Sequence, residues 1–522
     1  MILNENNLVK ALSNKRVFML GNYLLGREYL RHLSYLASCV TKAKGFLDLV
    51  FEDGITPLGV GKYGEKSRAH KFNQSDLRVF EELEARNTIK IHVQKTVSDK
   101  SLLEYSFPGR KLDAEGATDL EAELNRSIRS ALLSCNYVTL EKEINSNKAE
   151  WVRRESQISY NRTRALVKDY VDEHQYDLII VTNGRFPEQV AVKHEAISAG
   201  LPFLHFERGV YGKNRLFIQP FQTQDIGKMS EYFRQLVIGL NDADKRLAVE
   251  FSTTWLAQNE QSTMTNPHVR SMRQHSSKTN LYFNERTVPI FTSSIDERVS
   301  NLPHDLNGWE GQYQAIESLS NRLRELRYDP LIRIHPNAIH KSWAELLELL
   351  KMIKRIGVKA IMPWSTVSTY EILESAPFVV TWASTVSLES TARGIPTANL
   401  GPTKFGDLID IEKLSPNLIP KWEPNLSRKP SINKSLLAIY VTRNYGLKNE
   451  SEFWIDTLSL SKIHTGKRKK VTVYWHQCLI LFRSLIQPYS NTPSALYNPL
   501  RKFLGPSIAS RVMNIYAHFL AK

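Results

Sequence analysis

Cysteine is scarce in this sequence of 522 residues, and the three present, Cys39, Cys135 and Cys478, lie far apart. That spacing excludes a disulfide-stabilised scaffold and a cysteine zinc site, and it favours a reducing compartment. No run of 18 apolar residues occurs, so we expect no membrane-spanning helix. The first 20 residues also lack the basic, apolar and cleavage regions of a secretory signal. We therefore expect a cytoplasmic protein, for which a peripheral position on the membrane stays open.

Acidic residues are absent from residues 457–522, a stretch that holds ten of the 69 Lys and Arg. The remaining 59 basic and 54 acidic residues give the rest of the chain a net charge of +5. A nearly neutral body argues against a nucleic-acid groove along the whole protein, and the basic tail indicates a charged appendage. We expect no nucleic-acid partner.

Apolar runs typical of buried strands alternate with helical patterns in both halves of the chain. This alternation predicts parallel sheets with right-handed crossovers, and hence an α/β protein with two Rossmann-like domains facing across a cleft. Polar residues 255–287 interrupt the pattern and are expected to link the domains. The expected organisation is residues 1–280 and 288–425 for the two domains, 426–462 for a helical segment, and 463–522 for a basic amphipathic tail.

Polar side chains follow several of the expected strands. Because ligands of such sheets bind at the carboxyl ends of the strands, we expect these side chains to line the cleft. The candidates in the first domain are Asn183, Arg185, Glu207 and Arg208. Those in the second domain are Arg333, His335, Ser365, Ser384, Thr385 and Glu389.

His335 is followed by Pro336 at the end of an expected strand. Proline cannot continue a central strand and holds the preceding residue extended, which places the imidazole at the strand exit. Beside Arg333, His335 could bind a phosphate. The alternative is a simple strand terminator.

Ser384 and Thr385 stand between a strand and a helix. Their hydroxyls and the free N–H groups of the helix could bind an anion without a lysine, although an ordinary N-cap is the commoner use of such residues. The Glu389 carboxylate, one turn further, can accept hydrogen bonds from two adjacent hydroxyls, as on a ribose. The alternative is a first-turn acid favoured by the helix dipole.

Glu207 is the candidate general base of the first domain, with an ion pair to Arg208 as the alternative. Asp296 and Glu297 are competing carboxylates. Asn183-Gly-Arg185 could bind a sugar or phosphate, or only form a tight turn. We identify no metal-ligand cluster and no cofactor motif in the sequence.

Read in order, residues 176–402 resemble capsule polysaccharide biosynthesis proteins, which are GT-B-type glycosyltransferases. The His-Pro and Ser-Thr pairs are also similar to those of bacterial sialyltransferases, Kdo transferases and teichoic acid glycerophosphotransferases. The segments that carry the resemblance are Asn183-Gly-Arg185, Phe206-Glu-Arg-Gly209, Thr292-Ser-Ser-Ile-Asp-Glu297, Arg333-Ile-His-Pro-Asn337, Pro363-Trp-Ser365 with Ser368 and Tyr370, Val380-Thr-Trp-Ala-Ser-Thr-Val-Ser-Leu-Glu389, Gly394-Ile-Pro396 and Leu400-Gly401.

The resemblance implies that His335, Ser384 and Thr385 hold a nucleotide phosphate and that Glu389 holds the ribose, with no metal. It implies a glycosyltransferase that moves a sugar from a nucleotide-activated donor to a saccharide or lipid-linked acceptor of a bacterial surface polysaccharide, of capsule or O-antigen type. It matches no definite base, so Glu207 stays a candidate. Three alternatives stay open: a CDP-polyol-type phosphotransferase, a nucleotide-sugar epimerase of the same fold, and a non-catalytic polysaccharide assembly or export partner.

The basic tail has a possible membrane role. Lys467-Arg-Lys-Lys470 precedes the aromatic and apolar residues 471–482, and Arg501, Lys502 and Arg511 lie among further apolar residues. Such a pattern suits an anionic membrane surface, at about 1 kcal/mol per Lys or Arg near the surface. The alternative is a tail that packs on the body with its charges solvated.

Overall fold

The computed structural model describes residues 2, 4–21, 27–53, 89–95, 119–134, 147–209, 215–260, 283–293, 307–340, 343–365, 367–448, 496–497, 500 and 506–520. The chain divides into two compact units. The first consists of Met1–Asp225 and Arg443–Lys467, and the second of Ile226–Thr442 and Arg468–Lys522.

Strands and helices are numbered in chain order. The strands are β1 (Arg16–Leu20), β2 (Phe46–Asp53), β3 (Ile89–Lys95), β4 (Leu178–Thr182), β5 (Phe203–Arg208), β6 (Arg215–Gln219), β7 (Thr287–Phe291), β8 (Asp329–Arg333), β9 (Lys359–Ile361), β10 (Val379–Thr381), β11 (Thr397–Asn399), β12 (Glu412–Lys413) and β13 (Leu447–Lys448). The helices are α1 (Glu5–Leu12), α2 (Arg27–Lys42), α3 (Asp119–Ser134), α4 (Asn147–Glu173), α5 (Pro187–Ser198), α6 (Ile226–Ile238), α7 (Asp242–Glu260), α8 (Gln312–Glu325), α9 (Trp343–Ile356), α10 (Thr369–Ser375), α11 (Val386–Thr391), α12 (Ile432–Asn444) and α13 (Pro506–Leu520). Short 3₁₀ helices span Pro336–His340 and Ile419–Lys421.

The sheet of the first unit has the order β13-β6-β5-β4-β1-β2-β3. Strands β1 to β5 pair in parallel, and β6 and β13 extend the sheet antiparallel. Alternate residues of β1 enter separate apolar clusters, with Val17 and Met19 in one and Phe18 and Leu20 in the other. A strand that is apolar on both faces is typical of a parallel sheet covered by helices on both sides.

The sheet of the second unit has the order β12-β11-β10-β7-β8-β9, and all its pairs are parallel. Counted from β7, this is the strand order 3-2-1-4-5-6 of the Rossmann fold, and strands β1 to β5 of the first unit follow the same rule. The predicted α/β fold with two Rossmann-like domains is therefore confirmed. The order reverses between β7 and β10, and ligands of such sheets bind at this point.

The division into units differs from the predicted boundary near residue 280. Helices α6 and α7 belong to the second unit because Trp255 and Leu256 of α7 are buried with Leu436 and Ile439 of α12. The segment predicted as a linker is helical up to Glu260, and its residues 261–282 lie outside the described residues. Within the segment expected as residues 426–462, α12 packs on the second unit and β13 joins the sheet of the first.

The last helix packs on the second unit. Ala509, Met513 and Ala517 of α13 are buried in the main core of that unit, and the Asn514 Oδ1 accepts a hydrogen bond of 2.7 Å from the Trp364 Nε1. This part of the basic tail therefore packs on the body of the protein, which was the alternative to membrane binding, and Arg511 is exposed. Residues 467–482, 501 and 502 lie outside the described residues. Within the described part of the chain, every helix is too short or too polar to span a bilayer.

A buried polar network joins three helices of the first unit. The Tyr160 hydroxyl of α4 lies 2.7 Å from the His194 Nδ1 of α5, and the His194 Nε2 lies 3.3 Å from the Glu123 Oε2 of α3. The Lys193 Nζ donates to both Glu123 oxygens, at 2.7 and 2.8 Å. Burial raises the pKa of Glu123, but the hydrogen bond from His194 and the charge of Lys193 outweigh it and hold the pKa at about 2.

We expect Glu123→Gln to destabilise the protein at neutral pH, because it removes the ion pair that lowers this pKa. A carboxyl whose pKa falls from 4.5 unfolded to about 2 folded contributes stability that is complete above pH 4.5 and is lost toward pH 2. The contribution is on the order of 3 kcal/mol. Thermal unfolding of both proteins from pH 7 to pH 2.5 should show a difference that shrinks below pH 4.5.

Glu150→Gln is the matched control, because the Glu150 carboxylate lies 3.3 Å from Arg153 on the exposed surface of α4. An exposed pair of this kind contributes about 0–1 kcal/mol. Equal effects of the two substitutions at every pH would contradict the assignment.

Candidate functional site

The exits of β7, β8 and β10 are joined by hydrogen bonds in the second unit. The Trp382 N–H, just after β10, donates to the Phe291 carbonyl at 2.8 Å. The Thr292 N–H donates to the Arg333 carbonyl at 3.2 Å, and the Thr292 Oγ1 accepts the His335 N–H at 2.9 Å. These bonds tie together the three strand ends at the reversal of strand order.

His335 and Arg333 differ in their surroundings. His335 is half-buried and directly precedes the 3₁₀ helix that begins at Pro336, as the His-Pro pair predicts. Arg333 is only 4% exposed, and its Nη1 donates to the Met362 carbonyl after β9. The guanidinium predicted to bind phosphate is therefore bonded to the neighbouring loop.

The turn after β10 depends on Asn399. The Asn399 Oδ1 accepts hydrogen bonds from the Thr381 Oγ1 at 3.0 Å and from the Ala383 N–H at 3.2 Å, and its Nδ2 donates to the Gly401 carbonyl. Ala383 has φ +52°, in the left-handed region that residues with a Cβ seldom adopt. A side chain at Gly401 would lie 2.8 Å from the Trp382 ring. Asn399 thus holds a strained turn that leads directly to Ser384.

Ser384 and Thr385 lie at the start of α11. The Ser384 Oγ accepts the Val386 N–H at 3.3 Å, and its carbonyl accepts the Ser387 Oγ at 2.8 Å. Ser384 therefore closes a short turn at the entry to α11, whose N-cap residue is Thr385 and has no side-chain capping bond. The Ser384 hydroxyl still has a proton to donate, since a hydroxyl accepts and donates at once. Thr385 is exposed.

Glu389 is buried within α11 and is 5% exposed. Its Oε2 accepts a hydrogen bond from the Tyr370 hydroxyl of α10. The Arg393 guanidinium lies 4.8 Å from the centre of the Tyr370 ring. The carboxylate is therefore held by a neutral donor from a neighbouring helix.

Two serines that follow strands of the second sheet, Ser365 and Ser293, take part in hydrogen bonds that fix their loops. The Ser365 Oγ accepts the Val367 N–H at 3.3 Å, so Ser365 closes the turn before α10. The Ser293 N–H donates to the Gln312 Oε1 at 2.7 Å, and the Gln312 Nε2 donates back to the Ser293 carbonyl at 3.2 Å. These bonds fix the loop after β7 to the first residue of α8. Asp296 and Glu297, the competing carboxylates, lie outside the described residues.

Asn183 and Glu207 of the first unit come together at the ends of adjacent strands. The Asn183 Nδ2 donates to the Glu207 Oε2, and the Asn183 N–H donates to the Phe206 carbonyl at 2.7 Å. Asn183 and Gly184 both have positive φ, and a Cβ at Gly184 would lie 2.6 Å from the His205 ring. The tight-turn reading of this motif is therefore observed, and the turn aims an amide at a buried carboxylate.

Arg185 lies near this pair, stacked 4.8 Å from the centre of the Phe186 ring. The side chain of Arg208 lies outside the described residues. Among the residues that are described, the structure thus brings together Asn183 with Glu207, and His335 with the exits that carry Ser384 and Thr385.

Sequence reasoning missed Thr292, Tyr370 and Asn399 as supporting residues. Thr292 and Tyr370 stand inside the quoted motif region without a predicted role, and Asn399 ends an expected strand. The available signal was a buried polar residue at each strand or helix end, because such a group needs a hydrogen-bond partner.

No protein-family model and no curated protein matches the sequence. Solved structures do match, among them KpsC of Thermosulfurimonas dismutans, a β-Kdo 2,7 transferase, with 13% identity over 53% of this chain and 80% of that one and a TM-score of 0.32. A putative UDP-N-acetylglucosamine 2-epimerase from Listeria monocytogenes shows 9% identity over 91% and 97%, with a TM-score of 0.21. A glycosyltransferase from Rickettsia africae shows 10% identity over 82% and 94%, with a TM-score of 0.25. Likenesses of this size say nothing of the activity of this chain.

We expect Asn399→Ala to destabilise the second unit, because the Thr381 hydroxyl and the Ala383 N–H lose their buried acceptor. Leaving buried donors unsatisfied costs about 1–3 kcal/mol each. Thermal unfolding measures the loss. Asn425→Ala serves as control, because Asn425 is exposed and bonds only within its own surface turn among the described contacts. Equal stability of the two variants would contradict the role of Asn399.

Proposed function

We propose that this chain is a GT-B-type glycosyltransferase that transfers a sugar from a nucleotide-activated donor to a growing bacterial surface polysaccharide. The observation that carries the proposal is the set of strand exits at the reversal of strand order in the second unit. The residues that follow these strands include His335 after β8, and Ser384, Thr385 and Glu389 after β10, and the backbone bonds between the three exits support a common site.

The phosphate of the donor is assigned to His335, Ser384 and Thr385. Strands β8 and β10 flank β7, so their exits stand about 10 Å apart, two strand spacings. A phosphate group lying over the exit of β7 can meet side chains that reach inward from both neighbours. Arg333, which donates to the Met362 carbonyl, is assigned to holding the exit of β8 against the loop after β9. Ser365 is assigned to closing the turn that precedes α10.

The proposed mechanism places these donors where negative charge develops. As the glycosidic bond breaks, the nucleotide leaves with an added negative charge on its phosphate. Preorganised hydrogen-bond donors stabilise that charge because they need no reorganisation during the reaction. The Ser384 hydroxyl suits this role since its oxygen already accepts the Val386 N–H at the start of α11 and its proton remains to be donated. In this proposal the donors do the work that a metal ion does in other transferases.

Glu207 is the proposed base that removes the proton from the acceptor hydroxyl. Its Oε2 accepts a hydrogen bond from the Asn183 amide, which orients the carboxylate at the end of β5. Arg185 and Arg208 are proposed to bind the acceptor or the transferred sugar. A saccharide or lipid-linked acceptor is the partner that this site serves.

The basic tail is proposed to bring the enzyme to the anionic cytoplasmic face of the membrane. Arg511 and Ile515 lie one turn apart on the outward side of α13, and Ile515 is 72% exposed. A cation beside an exposed apolar residue suits the boundary between headgroups and acyl chains. This surface supports the proposal together with the charge of residues 457–522.

We expect the protein to bind or slowly hydrolyse at least one CMP-, UDP-, GDP- or CDP-activated sugar. His335→Ala should lower the rate with that donor by on the order of 10²–10³, because it removes one stabilising donor. Rates of donor turnover measure this. His174→Ala in the first unit is the histidine control and should keep full activity. The proposal fails if none of these donors interacts with the protein, and the assignment of His335 fails if its variant is fully active.

Glu207→Gln should lower the rate of sugar transfer by about 10²–10⁴, the usual contribution of a general base. Because Glu207 has no part in donor binding, the affinity for the nucleotide should not change. Titration with nucleotide and transfer assays with an acceptor separate the two effects. A variant that transfers at the normal rate, or that loses nucleotide affinity as well, would show that another group is the base.

A further inference from the structure

The pairing of Tyr370 with Glu389 goes beyond what helix formation requires. Tyr370 follows Ser368, whose Oγ accepts the Tyr370 N–H at 3.2 Å and caps α10. The Tyr370 ring is 2% exposed, and its hydroxyl donates to the Oε2 of Glu389 on α11. Two helices that follow different strands of the second sheet thus meet at one carboxylate oxygen.

A buried carboxylate is costly unless hydrogen bonds compensate it. The Tyr370 hydroxyl provides one such bond, and it does so without bringing a positive charge to the carboxylate oxygen. The bond also fixes the direction in which the second oxygen of Glu389 points. Hydroxyl donors of a ligand bind such a fixed anion better than a mobile one, because less entropy is lost on binding.

The ring of Tyr370 is itself held in place. The Arg393 guanidinium lies 4.8 Å from the ring centre, within the range of a cation–π contact. Burial and this contact limit the freedom of the ring, so its hydroxyl stays aimed at Glu389. Tyr370 lies in the predicted motif region but has no role assigned from the sequence.

We infer that Tyr370 is a positioning residue that sets Glu389 to accept hydrogen bonds from the ribose hydroxyls, and that this pair makes the site select ribonucleotides over deoxyribonucleotides. The inference rests on the proposed function, since it takes Glu389 as the ribose ligand. It adds a specificity that depends on a residue which does not touch the ligand.

The test compares a nucleotide with its deoxy analogues. CMP, CDP, UDP and GDP are titrated by calorimetry against the full chain, and the one that binds best is then compared with its 2′-deoxy and 3′-deoxy forms. Hydrogen bonds to a charged group are strong, so the wild type should bind at least one deoxy form more weakly by on the order of 10-fold. Tyr370→Phe keeps the ring and should weaken the ribonucleotide while leaving the deoxy form nearly unchanged.

Glu389→Gln should likewise reduce the difference in affinity between the ribonucleotide and its deoxy forms. The double variant should lose little more ribonucleotide affinity than either single variant, because the two residues act on one contact. Tyr328→Phe is the matched control, since its ring packs against Phe378 and it lies away from Glu389 in the contacts described. It should keep the discrimination of the wild type.

Two results would overturn the inference. One is a Tyr370→Phe variant that discriminates as the wild type does. The other is a variant that loses affinity for both forms equally, which indicates general damage to the site. Wild-type protein that binds none of the four nucleotides would instead refute the proposed function itself, so the two failures can be told apart.

Discussion

The side-chain amide of Asn399 holds the turn on which the candidate donor site depends. From the end of β11 it accepts hydrogen bonds from Thr381 at the end of β10 and from Ala383 in the loop that follows β10, and it donates to the Gly401 carbonyl. Those bonds offset the cost of a left-handed backbone at Ala383, which is of order 1–3 kcal/mol for a residue with a Cβ. Ser384 follows at once, so the direction in which α11 leaves the sheet depends on this contact.

At the other strand exits, too, a polar side chain bonds to a residue of a neighbouring element. Thr292 joins the loop after β7 to His335 after β8, and Gln312 joins Ser293 to α8. In the first unit Asn183 reaches from the exit of β4 to Glu207 at the end of β5. His335 and Glu207 are therefore each bonded to a polar side chain from a neighbouring strand exit, and such bonds hold polar loops in place at the ends of rigid strands.

Much of the fold could be predicted from the sequence because buried parallel strands are apolar on both faces. The apolar residues 17–20, for example, lie in β1, and its pairs with β2 and β4 are parallel, as the alternation of apolar runs and helical patterns predicts. The division into units could not be predicted, because it depends on the packing of α7 against α12 and on a return of the chain to the first sheet at β13. Such contacts join residues far apart in sequence and leave no local pattern.

The sequence suggested the candidate site residues but not the residues that bond to them. His-Pro and Ser-Thr have local signatures, since proline ends a strand and hydroxyls precede helices. The supports are single polar residues whose partners lie elsewhere: Asn399 acts through Ala383, and Tyr370 acts through Glu389. The sequence also left open whether Ser384 caps a helix or binds an anion, and in the structure its Oγ accepts the N–H of Val386, the first residue of α11.

The most direct measurement is a crystal structure of the chain with the nucleotide that it binds best. The account predicts phosphate oxygens within hydrogen-bond distance of His335 and of Ser384 or Thr385, and ribose hydroxyls against Glu389. A nucleotide bound elsewhere, or one whose phosphate meets neither His335 nor the two hydroxyls, would contradict it.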